Sequence, residues 1–338
     1  MKPGAVVLVT GASGFIGAHL VRHLADRGCR VRALDVHAPS SSDARIDFRV
    51  QDLRDTPRLV EALEGVEVVF HLASVHLDVH ASYEEFEAVN VSALAKLIGL
   101  CGAARVRRLV HVSSVGVYGH VAEPPAKENA PLAPQNDYER TKLAGEEVAR
   151  PAAARCGLDL VILRPSWVYG IGCPRTEKLL AAVRKGRFFY IGSGANLRHP
   201  LYIEDFLTAM LLAADAGPEI AGKTFNIAGP EWMPLARMVA TAAEAMHVPE
   251  PRLHIPRWLG LTVGWAAEQV GAVLRVNPPI SRRTLAFFEN DNAFSIDAAR
   301  RELGFEPRVR LLEGLRHVAQ IPSSSASVTS DERRLIGS

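Results

Sequence analysis

Tyr138 and Lys142 stand four residues apart in Tyr138-Glu139-Arg140-Thr141-Lys142, a spacing that puts both side chains on one face of a helix. A phenol with an unperturbed pKa of about 10 is a poor base near neutral pH. An ammonium beside it stabilises the phenolate and lowers that pKa, so the pair can give and take a proton. Ser114 follows the apolar run RLVHVS at 108–113, and its hydroxyl can bond an oxygen that gains or loses a proton. An isolated YxxxK is common by chance. What gives this one weight is the stretch far upstream of it.

Gly11-Ala12-Ser13-Gly14-Phe15-Ile16-Gly17 lies between an apolar run and a helical pattern. In that setting Gly11 permits the tight turn, Gly14 lets backbone approach a pyrophosphate, and Gly17 lets helix pack closely on strand. The helix start offers unpaired N–H groups and a positive dipole to phosphate, so Ser13, Phe15 and Ile16 join the candidate cofactor-binding residues. Asp35 closes the second strand-like run, RVRALD, where a carboxylate accepts from the ribose 2′-hydroxyl and repels a 2′-phosphate. The expected cofactor is NAD rather than NADP. Asp52 and Leu53 follow a third run; the acid there would reach the adenine amino group or merely cap a loop. Leu72, Ala73 and Ser74 end a fourth run with small residues beside which a cofactor would lie. Lys142 would then hold the nicotinamide ribose as well as the tyrosine.

These groups need a frame, and the pattern of elements provides one. Ala5–Thr10, Arg30–Asp35, Phe48–Asp52, Val66–Leu72, Arg108–Ser113 and Asp159–Arg164 read as strands. Helical patterns alternate with them at Phe15–Arg27, Thr56–Leu63, Phe86–Ala104 and Tyr138–Cys156. Continuous apolar strands alternating with helices predict an α/β fold, a Rossmann-type doubly wound parallel sheet, with a smaller C-terminal substrate-binding lobe. The NAD-binding domain is expected over 1–165, with segments returning near 198–229, and the interleaved substrate lobe over 166–322. Helices are predicted at Glu177–Lys185, Glu204–Ala214 and Leu235–Met246, and a late strand at Thr224–Ala228. The Ser-rich, charged stretch 323–338 reads as a flexible tail.

Bulk composition excludes several classes. Lys plus Arg number 39 against 37 Asp plus Glu among 338 residues, so no electrostatic footprint for nucleic acid exists. Four scattered cysteines without a CxxC pair indicate neither a metal site nor a disulfide framework, and suit a reducing cytoplasm. No signal peptide precedes the first strand. The apolar stretch Ile255–Val276 is broken by Arg257, Glu268, Gln269 and Arg275, which argues against a membrane span.

GASGFIG at 11–17, Asp35, HLAS at 71–74, SSVGVYG at 113–119, YERTK at 138–142 and LRPSWVYG at 163–170 together resemble the extended short-chain dehydrogenase/reductase superfamily, often called NAD-dependent epimerase/dehydratase. The similarity runs on through RHPLYIEDF at 198–206, TFNIAG at 224–229 and FSIDAARRELGFEP at 294–307. It implies bound NAD, a small-molecule substrate between two lobes, and a homodimer built through Phe86–Ala104 and Tyr138–Cys156. By the same resemblance Ser114 orients substrate, Tyr138 is the acid/base and Lys142 supports both. Asn90 matches an asparagine near the family's active site, or else ties a helix to a loop.

Sugar dehydratases of this superfamily carry Thr-Asp-Glu after the fifth strand, where this chain has Ser114, Val115 and Gly116. Neither Val nor Gly transfers protons, so a 4,6-dehydratase is disfavoured, as is a decarboxylating member with a Glu at position 116. Two enzymatic readings remain. Arg198 before Tyr-Ile-Glu-Asp resembles the phosphate-binding arginine of nucleotide-sugar 4-epimerases and related sugar-nucleotide oxidoreductases. Pro165-Ser166-Trp167, with Trp167 in place of an asparagine, resembles the 3β-hydroxysteroid dehydrogenase and dihydroflavonol reductase branches, which implies a 3β-hydroxysteroid-dehydrogenase-like or 3-keto-acid reductase acting on an apolar substrate. A catalytically silent NAD-binding protein is a third reading, opposed by the intact Ser–Tyr–Lys set. The nucleotide sugar is the favoured substrate.

Overall fold

The computed structural model describes residues 1–39, 41, 43–75, 82–260, 262 and 287–320. The predicted tail and most of Ile255–Val276 lie outside them.

Seven parallel strands form the central sheet in the order β11-β6-β5-β4-β1-β2-β3. They are β1 (Val6–Thr10), β2 (Arg30–Asp35), β3 (Ile46–Val50), β4 (Val68–His71), β5 (Arg108–Val112), β6 (Asp159–Pro165) and β11 (Thr224–Ile227). The pleat sends alternate side chains to two separate cores. Val7, Val9, Val110, Val112, Val161 and Leu163 join one core with α1 (Phe15–Asp26) and α7 (Ile203–Asp215). Leu8, Leu109, Leu160 and Ile162 join the other with α2 (Thr56–Leu63), α4 (Leu94–Ala103) and α5 (Asp137–Cys156). A sheet covered on both faces is why its strands read as unbroken apolar runs.

The chain leaves β3 at one edge and returns at β4 beside β1, so connections diverge on either side of the β1–β4 pair. That is the switch point at which ligands lie outside the strands' carboxyl ends. The last strand, β11, pairs in parallel with β6 at the sheet's other edge. Three short ladders build the second lobe: β7 (Trp167–Tyr169) with β10 (Pro200–Tyr202), β9 (Leu197–Arg198) with β12 (Met233–Pro234), and β8 (Tyr190–Ile191) with β13 (His254–Ile255). The helices α6 (Pro174–Arg184), α8 (Leu235–Ala245) and α10 (Leu311–Gln320) complete it, while α9 (Asp297–Leu303) packs against β11 and α7 at the central sheet.

One predicted helix differs from the observed one. The pattern Phe86–Ala104 is split into α3 (Tyr83–Glu87), a π-helical stretch Ala88–Ala93, and α4. Ser82 caps α3, accepting from Glu85 N–H while the Glu85 carboxylate accepts from Ser82 N–H, so the helix begins earlier than its apolar periodicity does. The widened turn centres on Asn90, a polar residue buried between two elements.

Candidate active site

The glycine loop leaves β1 against the segment that leaves β4. Gly11 has φ of 72°, and a Cβ on it would lie 2.6 Å from Ala73 N. A Cβ on Gly17 would lie 2.1 Å from Gly11 O, so α1 packs directly on the loop. No side chain caps the α1 amides at Gly14, which leaves them for an anion. Asp35 ends β2 with its carboxylate turned to this loop: Oδ2 accepts from Ser13 N–H (2.9 Å) and Oδ1 from His37 N–H (3.0 Å). The residues present fit a dinucleotide, with close-approach glycines, free helix amides and an acid at the end of β2.

Asp52 is engaged differently. Its carboxylate accepts from Arg54 Nε and Nη2 and from Arg54 N–H, and Arg54 holds it below the usual carboxylate range. Leu53 is buried under the adjoining helix. Along the β4 segment, Thr10 Oγ1 accepts from Ala73 N–H and hydrogen-bonds His71 Nδ1 at 2.8 Å. Ser74 Oγ donates to Asn90 Oδ1 (2.9 Å), which also accepts from Val75 N–H (3.0 Å). Asn90 Nδ2 donates to Thr141 Oγ1 (3.1 Å). Asn90 thus fastens the cofactor-side loop to α5, one residue from Lys142.

Lys142 is 3% exposed, and its Nζ donates to Val112 O (2.8 Å) at the end of β5. Burial lowers its pKa to about 8, against an opposing pull from Glu146. Ser114 begins a short 3-10 turn, Val115–Tyr118, and its Oγ accepts from Gly116 N–H (3.0 Å). Tyr138, half-buried, sits in the first turn of α5, which Asn136 caps by accepting from Glu139 N–H. The Lys142–Val112 bond therefore draws the helix of Tyr138 and Lys142 onto the strand that delivers Ser114.

Behind this set lies a polar network that the sequence reading did not single out. Glu146 Oε1 accepts from Ser113 Oγ (2.6 Å) and Arg164 Nε (2.9 Å), and Oε2 accepts from Arg164 Nη2 (2.7 Å). Arg164 Nη1 donates to Tyr118 Oη (2.7 Å), which donates to Asn226 Oδ1 (2.8 Å). It joins α5, β6, the 3-10 turn and β11 around Ser113. Only the LRP and YxxxK motifs carried a hint of it, and neither says that Arg164 and Glu146 meet.

On the lobe side, the β7–β10 pairing makes Trp167 the register partner of Pro200, two residues past Arg198. Arg198 is 5% exposed and forms no ion pair among the described residues. Its guanidinium lies 4.4 Å from the Phe287 ring centre, Nη1 faces the Asn292 side-chain amide, and Nε and Nη2 have no hydrogen-bond partner among the described residues. Burial lowers its pKa to about 10, opposed by Asp291.

A sequence profile of the NAD dependent epimerase/dehydratase family matches residues 7–228. The chain belongs to that family. As a member of the NAD dependent epimerase/dehydratase family it is an NAD-dependent oxidoreductase in the broad sense, whose Rossmann domain carries the elements described above. It is 30% identical over 333 residues to a 2-alkyl-3-oxoalkanoate reductase of Stenotrophomonas maltophilia, covering 95% of this chain and 99% of the relative. It is 28% identical to a decarboxylating sterol-4-alpha-carboxylate 3-dehydrogenase of Mus musculus, covering 92% and 89%. Among solved structures it resembles MoeE5 in complex with UDP-glucose and NAD, with 27% identity, a TM-score of 0.75, and coverage of 93% and 97%.

Proposed function

We propose that this family member is a nucleotide-sugar oxidoreductase, a 4-epimerase in the first instance, that binds NAD in preference to NADP at Asp35. The reading rests on Arg198: a buried cation that, among the described residues, forms no ion pair and leaves Nε and Nη2 unpaired is suited to an anion. A diphosphate supplies that charge and two or more acceptors. Trp167 is the matching wall.

Ser114 hydrogen-bonds the reacting sugar oxygen and Tyr138 takes its proton. Lys142, positive below a pH of about 8, stabilises the phenolate that Tyr138 must become. The Gly11–Gly17 loop, the α1 amides and Asp35 would hold NAD, which would supply the hydride acceptor, and in an epimerase the donor, for the carbinol carbon. The Asn90 and Glu146 contacts keep α5 fixed against β5 while this happens.

The second reading, a 3-oxo-acid reductase or 3β-hydroxysteroid-type dehydrogenase, is favoured by the names of the two curated relatives and by Trp167. An oxo-acid carboxylate would also satisfy Arg198. Thermal stabilisation of the NAD-loaded protein separates the two. UDP, TDP, GDP and UDP-hexoses are compared with sterols and long-chain 3-oxo acids. The nucleotide-sugar reading expects one nucleotide series to raise the midpoint. R198M should abolish that rise, weakening nucleotide binding roughly a hundredfold, without lowering the midpoint of the unliganded protein. A rise with apolar acids alone, or a nucleotide rise that survives R198M, overturns it.

A further inference from the structure

The turn after β5 carries no acid of its own, yet a carboxylate occupies the place where one would stand. A Cβ built on Gly116 would lie 2.9 Å from Glu139 Cγ, 3.3 Å from Glu139 Oε1 and 3.2 Å from Ser114 Oγ. The space open to a side chain at 116 is thus already filled from α5, by the residue that follows Tyr138. Glu139 Oε2 is fixed, accepting from Gln135 N–H (2.7 Å), while Oε1 is turned toward Gly116. A carboxylate in the first turn of α5 is also favoured by the helix dipole.

We propose that Glu139 is a second acid–base group of this site, one that removes a proton from the carbon next to the transient ketone. The proposal rests on the carbinol-oxidising reading above. Once the carbinol carbon is a ketone, the C–H bond on its neighbour is acidic. Glu139 takes that proton, the C–H electron pair becomes the C–C double bond, and the carbonyl pair moves onto oxygen, where Ser114 and Tyr138 hydrogen-bond the enolate. Return of a proton to the same carbon restores the ketone. No oxidant beyond the NAD of the first step is consumed. The chain therefore takes substrates with a hydrogen beside the oxidised carbon, and exchanges it with solvent.

Glu139 also anchors the start of α5, and the test must separate that role. The NAD-loaded enzyme is incubated in D2O with UDP-glucose, UDP-glucuronic acid or TDP-glucose, and label at the carbons flanking C4 is read by NMR beside nicotinamide reduction in the same sample. Wild type should take up label. E139Q keeps an oxygen for Gln135 N–H but cannot take a proton, so its label entry should fall about a hundredfold relative to its nicotinamide reduction. An unchanged ratio, or reduction without label in wild type, overturns the proposal. If none of these sugars is epimerised or reduces the nicotinamide, the nucleotide-sugar reading fails, and Glu139 is still decided by a second measurement. The Glu139 carboxyl carbon, assigned by its loss in E139Q, is titrated by 13C NMR in NAD+-loaded and NADH-loaded protein. A carboxylate facing the site titrates at lower pH beside the positively charged ring; identical titrations overturn the proposal.

Discussion

Lys142 pays a folding cost for its place in the site. It is buried, and its pKa falls from 10.5 to about 8 because the ammonium loses water that Val112 O and Glu146 replace only in part. Below a pH of about 8 the folded protein carries that charge at a penalty; between 8 and 10.5 the unfolded chain binds more protons, so stability from this group rises with pH. K142M should therefore lose turnover while gaining about 2 kcal/mol of stability without cofactor at pH 7. The gain should shrink as pH climbs through 8, and denaturant melts at pH 7 and 9.5 check it. At this scale the sequence was partly legible. Spacing alone paired Tyr138 with Lys142, because helix geometry is local. The Glu146–Arg164 contact was not, because it forms only when α5 packs on β6, and no local rule specifies that.

Adjacent strands bring two histidines together in the core. His71 of β4 and His111 of β5 are register partners, their rings stacked 5.3 Å apart and both buried. Among the described residues His71 Nε2 and both ring nitrogens of His111 have no hydrogen-bond partner. Burial, aided by Lys142, pushes the His71 pKa down to about 3 and His111 well below its usual value. Both rings fold neutral, so their contribution is intact above pH 6.5 and is lost as pH falls, when the unfolded chain takes up protons that the folded one refuses. H111F keeps the ring and breaks no hydrogen bond. It should match wild type at pH 7 and exceed it by about 1 kcal/mol at pH 5.5, as urea melts at the two pH values would record. The elements themselves were legible wherever apolar runs were long, since β1, β4, β5 and β6 are buried on both faces. Two-residue ladders such as β8–β13 and β9–β12 are too short to show a period, so the lobe that holds Arg198 was seen only as irregular sequence.

The two adjacent helices α4 and α5 leave an apolar face uncovered, and that bears on the state of the whole molecule. The stretch Tyr83–Ala103 has a mean hydropathy of 1.4 over its most apolar window, of which 44% is buried. Length and composition would let it cross a membrane, yet it packs beside α5 on the Rossmann sheet. Its outward positions include Ala95, Gly99 and Ala103, four residues apart, and α5 beside it presents Ala144, Val148 and Pro151. Small side chains at helical spacing let a second pair of helices approach closely, and a two-fold axis would set the same face against itself. Such an uncovered surface calls for a partner. The expected particle in solution is a homodimer, twice the 36.7 kDa chain, and light scattering after gel filtration measures it. Gly99 offers the decisive substitution, because a Cβ there would meet nothing within 4 Å in the isolated chain. G99E should fold as well as wild type, since it replaces a helix-weakening glycine at an exposed position. Across a two-fold it would set two carboxylates close together, so the dimer should dissociate to the 36.7 kDa species with an unchanged circular dichroism spectrum. A G99E protein that still runs at twice the chain mass would place the dimer contact, if one forms, on another face.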